Sequence, residues 1–336
     1  MRRTTIRSIS DETGLSLATV SRALKSSPTV RPDTMRLVQT AAEKLGYRRS
    51  AVAANLRSGR TGLLSLVIPI ERPGDLLGDY GALQLMAGAC ARVTESDYTL
   101  TLVPYGFNDP PGEVVDDLVA RGVSDGLILT LTQPQDARIA ALQARGIPFV
   151  TFGRTALPLA HPYYDFDDAD FAYRAAQLLI THGCRRPALV LQPGPALYNQ
   201  HRRTGFSRAL GEAGLAFAEH RIIGQNDIAA VRQVMRSVEP PDGIVCDNEI
   251  SALATMTALR ADGWRIGQDV HLTTLETSAL PSLLSPPISG FFQDLHRAGW
   301  VCADFLLRRL AGEDAHDLQM VETMTLRDRT GEMAHG

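Results

Sequence analysis

The chain has 336 residues, 44% of them hydrophobic and 21% charged, ordinary globular proportions that exclude a largely disordered or fibrous protein. No apolar run reaches the ~18 residues of a membrane span, the N-terminus lacks the apolar core of a secretory signal, and the four cysteines (Cys90, Cys184, Cys246, Cys302) form no CxxC pair. A net charge of −3 hides a division: residues 1–60 carry 12 Lys or Arg against 4 Asp or Glu, and the remainder carries 22 against 33.

These features predict a cytoplasmic protein without a membrane partner, its cysteines buried thiols in a reducing compartment rather than disulfides or zinc ligands. The charge asymmetry points to a nucleic-acid-binding head on a body that phosphate does not attract. A basic solvated arm is the alternative on charge alone.

The pattern of the head favours three short helices. Thr5 can cap the first, with Ile6 and Ile9 inward and an end near Thr13-Gly14. Leu15 can plug the core, and Ser16 caps a second helix, Leu17 to Leu24, whose Val20 and Leu24 point inward with Ala23. Pro32 opens a third helix that runs to Leu45-Gly46. Two helices joined by a short Gly-containing turn make a helix-turn-helix, whose second helix enters the DNA major groove.

Thr5-Ile6-Arg7-Ser8-Ile9, Gly14-Leu15-Ser16, Thr19-Val20-Ser21-Arg22 and Ala41-Ala42-Glu43-Lys44-Leu45-Gly46-Tyr47 resemble the headpiece of the LacI/GalR transcriptional regulators. Ala51-Val52-Ala53-Ala54-Asn55-Leu56-Arg57-Ser58-Gly59-Arg60-Thr61 is similar to that family's hinge helix. The resemblance implies that Leu17 and Ala18 meet base edges, where apolar side chains pack on thymine methyls, and that Arg22 reads guanine. Ser16, Thr19 and Ser21 suit phosphate, and Thr5 joins the expected DNA-contacting set. Ser50–Ser58 is too short to be a stable helix alone in water. By resemblance it folds on the operator, with Leu56, flanked by Asn55 and Arg57, as a minor-groove wedge; docking of Leu56 on the body is the alternative. Arg31 stands where the family usually caps the third helix with Ser or Thr, and Arg49-Ser50 replaces its usual Pro-Asn.

Beyond Leu63, strand-like runs (Leu63–Ile68, Leu100–Val103, Gly126–Thr130, Ile147–Phe152, Ala188–Leu191, Gly243–Cys246, Val270–Leu275) alternate with helical stretches, which predicts parallel sheets with right-handed crossovers. Asp125-Gly126-Leu127-Ile128-Leu129 recurs as Asp242-Gly243-Ile244-Val245-Cys246, an offset of 117 that Gly146 and Gly263 repeat. Two halves of similar topology follow, with a ligand crevice beyond their strand ends. Met320–Leu326 is the last strand-like run, and no heptads follow it, so a dimer without a C-terminal coiled coil is expected.

The body is similar to the family's effector module, itself periplasmic-binding-protein-like. The expected fold class is therefore a small all-α helix-turn-helix headpiece plus an α/β body of two similar parallel-sheet subdomains. The expected domains are 1–46 (headpiece), 47–61 (hinge and linker) and 62–336 (effector binding and dimerisation). Within the last, one subdomain spans about 62–161 with a returning segment at about 291–320, and the other about 162–290 with the C-terminal segment.

By the same resemblance, Tyr80, Phe152, Arg154, Asp167, Arg202, Asp247 and Glu276 line the effector cleft. A neutral polyol needs acceptors and donors around its hydroxyls and an apolar wall for its C–H face. Asp167, Asp247 and Glu276 can accept, Arg202 can donate, and Phe152 and Tyr80 can form wall with Arg154 beside them. Asp167 and Asp168 can equally cap a following helix, and Phe152 can equally be sheet core. The cluster Asp165, Asp167, Asp168 and Asp170 lacks the Gly and Glu of a calcium loop, since Asp170 and Ala176 stand there. No P-loop, HExxH or GxSxG is present, so no enzyme, cofactor or metal is expected.

The resulting expectation is a dimeric repressor on a pseudo-palindromic operator, released by a small effector, a carbohydrate. A corepressor-dependent or activating regulator shares this architecture. A cytoplasmic small-molecule-binding protein without DNA output is the rival class, and a sugar-processing enzyme a third.

Overall fold

Thr5 starts the first helix as its sequence position suggests: its Oγ1 accepts from Ser8 N at 3.4 Å while Ser8 Oγ accepts from Thr5 N at 3.3 Å, a reciprocal capping box. The computed structural model describes residues 4–24, 27–47, 60–70, 80–106, 109–225 and 227–329. They fall into two units, Met1–Arg60 and Thr61–Gly336.

In the first unit, α1 (Ile6–Thr13) ends at Gly14, whose φ of 68° is a left-handed C-cap. Ser16 caps α2 (Leu17–Ala23) by accepting from Thr19 N at 3.2 Å. Pro32 opens α3 (Pro32–Lys44), and the Arg31 side chain makes no cap bond, as its chemistry dictates. Ile9, Val20, Ala23, Val38, Ala41 and Ala42 are buried together, with Ile6, Leu15 and Leu24 packed on them. The expected hinge, Ser50–Ser58 with Asn55, Leu56 and Arg57, lies outside the described residues.

The second unit alternates strand and helix. In chain order come β1 (Leu63–Ile70), α4 (Tyr80–Val93), β2 (Thr99–Gly106), α5 (Pro111–Arg121), β3 (Gly126–Leu129), α6 (Ala137–Ala144), β4 (Phe149–Phe152) and β5 (Tyr163–Phe166). Then come α7 (Asp168–Thr181), β6 (Pro187–Leu191), α8 (Leu197–Glu212), β7 (Ile222–Gly224), α9 (Ile228–Met235), β8 (Gly243–Cys246), α10 (Glu249–Ala261) and β9 (His271–Glu276). The chain closes with α11 (Leu280–Leu283), β10 (Ser289–Phe292), α12 (Leu295–Leu310), β11 (Gln319–Glu322) and β12 (Thr325–Arg327).

Two six-stranded sheets result. The first runs β2-β1-β3-β4-β5-β11, every pair parallel. The second runs β7-β6-β8-β9-β10-β12, parallel except for β12. Adding five to each strand number through β5 turns the first order into the second.

The sequence echo has a physical basis in this repeat. Asp125 accepts from the backbone N–H groups of Thr61 and Gly62 (2.7 and 2.8 Å) just before β1. Asp242 accepts from those of Arg185 and Arg186 (2.9 and 2.8 Å) just before β6. Each aspartate pins the entry of the strand that opens its half, β1 in the first sheet and β6 in the second, so the same bond is made twice.

Three strands escape the sequence pattern. β5 mixes Asp165 with aromatics, β7 is only three residues long, and β10 contains Gly290. The run Met320–Leu326, expected as one strand, is two: β11 joins the first sheet and β12 the second, because the chain crosses between the halves at Thr323-Met324. Before that crossing, α12 packs on α4, β3, β4 and β5. Cys184, Cys246 and Cys302 are buried, but Cys90 is exposed on the outer face of α4, contrary to the expectation for all four. Among the described residues, no helix is long and apolar enough to cross a membrane.

Candidate functional site

On the headpiece, α2 buries Val20 and Ala23 and turns its other face outward. Leu17, at the helix start, is 51% exposed there. Ala18 and Arg22 are exposed beside it, and Arg22 Nε donates to the Ala18 carbonyl at 3.3 Å. Ser16 is exposed, Thr19 and Ser21 are half-buried, and Thr5 lies exposed at the start of α1. The arrangement offers apolar contact, a guanidinium fork and hydroxyls on one surface, the kinds of group that base edges and phosphates accept.

In the body, the strand ends of both sheets open on one cavity of about 760 Å³, within the range of small-ligand sites. Parallel strands place their C-terminal ends and following loops on the same side, which explains why residues far apart in the chain converge there. Phe152, Arg154, Arg202 and Asp247 line it, as do Asp165, Asp168, Tyr198, His201 and Glu249.

Arg202, on α8, is 7% exposed and donates through Nε to Asp168 Oδ1 at 2.6 Å. Its guanidinium also lies 4.7 Å from the Tyr198 ring centre and 5.4 Å from that of Phe171. Burial opposes its charge, yet Asp168, Tyr198 and Asp247 outweigh that and hold its pKa above the ordinary arginine value. Arg154 is matched in the same way, its Nε donating to Asp165 Oδ2 at 2.6 Å. Burial, followed by the charge of Asp168, pushes Asp165 up to about 6 despite Arg154.

Asp247 is buried and accepts from Ser251 Oγ at 2.5 Å; burial raises it above the usual carboxylate range. Glu249 accepts from Thr277 Oγ1 at 2.8 Å. Burial, then Arg154, lowers His201, so its ring stays neutral.

Three expected cleft residues are placed differently. Asp167 is the N-cap of α7, accepting from Asp170 N at 3.0 Å, and its neighbour Asp168 takes the cavity position. Glu276 is fully buried and off the cavity, because Leu275 and Thr277 on either side face it and alternation along the strand turns Glu276 away. Tyr80 begins α4, and its side chain lies outside the described residues. Tyr198 and His201 were missed; Tyr198 stands four residues before Arg202 on the same helix, a spacing legible in the sequence, whereas His201 is its direct neighbour and carries no such signal.

Two family models match the chain: bacterial regulatory proteins of the lacI family over residues 5–50, and a periplasmic binding protein-like domain over residues 176–330. The HTH-type transcriptional regulator AglR of Rhizobium meliloti (strain 1021) is 31% identical over 304 residues, 88% of this chain and 84% of that one. The HTH-type transcriptional regulator CelR of Thermobifida fusca is 27% identical over 331 residues, 95% of this chain and 96% of that one. The solved structure of a transcriptional regulator CelR–cellobiose complex aligns with a TM-score of 0.72 at 25% identity, covering 98% and 99% of the two chains. The lac repressor dimer bound to operator and the anti-inducer ONPF shares the fold, with a TM-score of 0.82 at 20% identity over 98% and 99%.

Proposed function

The chain belongs to the LacI family of bacterial regulatory proteins and is a DNA-binding transcriptional regulator; on that premise we propose that it represses from a pseudo-palindromic operator as a homodimer and is released when an uncharged saccharide fills the cavity of its body. In this reading residues 1–46 bind DNA, 47–61 form hinge and linker, and 62–336 bind the effector and dimerise. Leu17, Ala18 and Arg22 meet base edges in the major groove, Thr5, Ser16, Thr19 and Ser21 position the headpiece on the DNA around them, and Asn55, Leu56 and Arg57 enter the minor groove. Phe152, Arg154, Asp168, Arg202 and Asp247 hold the effector.

The charge state of the cavity carries the choice of effector. Its described lining includes two arginines and four carboxylates (Asp165, Asp168, Asp247, Glu249), and each arginine is spent on an aspartate at 2.6 Å. An entering phosphate or carboxylate meets net negative charge among largely buried side chains, where repulsion is less screened than in water. Hydroxyl groups instead find acceptors, and the faces of Phe152 and Tyr198 suit the C–H side of a sugar ring. The cellobiose in the related CelR complex is a ligand of this chemistry.

The testing experiment is binding to labelled duplex from the chain's own upstream region, across a salt series, with a panel of saccharides. Selective binding that one saccharide reverses is expected; equal binding to any duplex, gone by about 200 mM salt, would refute a specific operator. Leu56→Ala should weaken operator binding roughly tenfold, the scale of ~1.4 kcal/mol, and leave saccharide affinity unchanged. Unchanged operator affinity removes the wedge role.

At pH 7.5 the phosphorylated form of the effector should bind at least about 30-fold more weakly than the neutral form, roughly 2 kcal/mol. Asp165, at about 6, is ionised at that pH and protonated below it. Lowering the pH to 5.5 therefore weakens the counter-charge of Arg154, and with the phosphate's own second protonation at about 6 the preference should shrink. A phosphorylated ligand that binds as tightly as the neutral one at pH 7.5 contradicts this account.

A further inference from the structure

The two halves of the body meet at an unusual backbone bond. Thr132 lies just beyond β3, in the first sheet's half, and Leu197 is the first residue of α8, beyond β6 of the second sheet. The Leu197 N–H donates to the Thr132 carbonyl at 2.9 Å. A first-turn N–H has no partner within its own helix, and the N-cap of α8, Ala196, supplies no side-chain acceptor. Thr132 provides that acceptor from the opposite half.

The turn that carries this carbonyl is strained and heavily held. Leu131 has φ of 50°, the one positive φ among the described non-glycine residues, a conformation that bulky side chains rarely adopt. Arg138 Nη2 donates to the carbonyls of Thr130 and Leu131 at 3.0 and 3.2 Å. The same guanidinium grips Asp136 at 2.9 and 2.7 Å, and Asp136 accepts from Gln133 N at 3.1 Å. Both charged residues are only 3% exposed. Gly153 leaves room for the threonine, since a Cβ there would stand 2.4 Å from Thr132 Oγ1.

A buried ion pair contributes little net stability against apolar packing. Here the turn that Arg138 and Asp136 hold belongs to the cavity rim: Leu131, Thr132, Leu197, Tyr198, His201 and Arg202 all line the cavity.

We propose that the Leu131–Thr132 turn, clamped by Arg138 and Asp136, is a latch whose carbonyl holds the start of α8 across the cleft and so positions Tyr198, His201 and Arg202. Opening the cleft must break this bond. That the latch encloses an effector rests on the reading above; the latch itself does not.

Amide exchange on the full chain, without added ligand, tests the bond directly. The Leu197 amide should exchange at least about tenfold more slowly than an unprotected amide of the same sequence context, since a hydrogen-bonded amide exchanges only when its bond opens. Exchange at the unprotected rate overturns the proposal. Leu197→Pro and Leu197→Ala then test its consequence. Both remove the leucine side chain, but only proline removes the N–H, and proline is tolerated at a first helical position. Ala196, at φ −56° and ψ 136°, already has the backbone that precedes proline.

With helix content retained in both, Leu197→Pro should have the larger radius of gyration by X-ray scattering and faster exchange across residues 130–136. Identical scattering and exchange in the two variants overturn the latch. None of these readouts involves a saccharide, so a protein that binds none would refute the effector reading and leave the latch standing.

Discussion

Arg202→Ala abolishes the effector response while effector-free operator binding persists. The side chain is the hub of the cavity floor: it neutralises Asp168 at 2.6 Å and stacks on Tyr198. Its loss removes a charge-assisted donor and leaves Asp168, 3% exposed, without its partner. Loss of that charged donor to a saccharide hydroxyl is on the scale of ~2 kcal/mol, so saccharide affinity should fall roughly 30-fold by titration calorimetry. The same uncompensated charge should lower the stability of the body by about 3–5 kcal/mol. Arg202→Lys should be intermediate, since it keeps the charge and loses the planar fork and the stacking. An alanine variant that still releases operator at normal effector concentration would remove Arg202 from the site.

Glu276→Ala should produce the opposite pattern: a large loss of stability with saccharide affinity nearly unchanged. Glu276 is fully buried and its carboxylate is gripped by Arg329 at 2.8 and 3.2 Å and by Arg327 at 3.1 Å. Gly290 makes the space, because a Cβ at that position would lie 2.4 Å from Glu276 Oε2. Ser289 completes the fastening by donating to Asp328 at 2.9 Å and accepting from Arg329 N at 2.8 Å. This clasp holds β12, the antiparallel edge of the second sheet, to β10. Removing the carboxylate strands Arg329, itself 8% exposed, as a buried unpaired cation, a cost of about 3–5 kcal/mol. Thermal unfolding should therefore move down by about 10 °C. A variant with unchanged melting and lost saccharide binding would instead restore the effector role that the sequence suggested for Glu276.

The contrast between these two residues separates what is local from what is not. Helix starts and stops were legible because their physics is contained within a few residues: Thr5 and Ser16 cap through side chains three positions from their targets, and Gly14 turns the chain without a Cβ. The strands of the sheet centres were legible because both faces are buried, which leaves continuous apolar runs such as Gly126–Leu129 and Gly243–Cys246. The Asp125 and Asp242 echo was legible because the same entry bond is made twice.

By itself, then, the sequence determined a basic three-helix head, a doubled α/β body and a family-specific set of polar residues near the strand ends. Only the tertiary structure decided which of those residues face one another. Whether Asp167 or Asp168 enters the cavity depends on where α7 caps, and the direction of Glu276 depends on the pleat of β9 and on arginines 51 and 53 residues further along. The bond from Leu197 to Thr132 joins positions 65 residues apart through two bare backbone groups, and backbone groups leave no mark in composition or periodicity. Local hydrogen bonds and burial period are written along the chain, whereas pairing across a cleft is set by the packing of elements that the chain visits at different times.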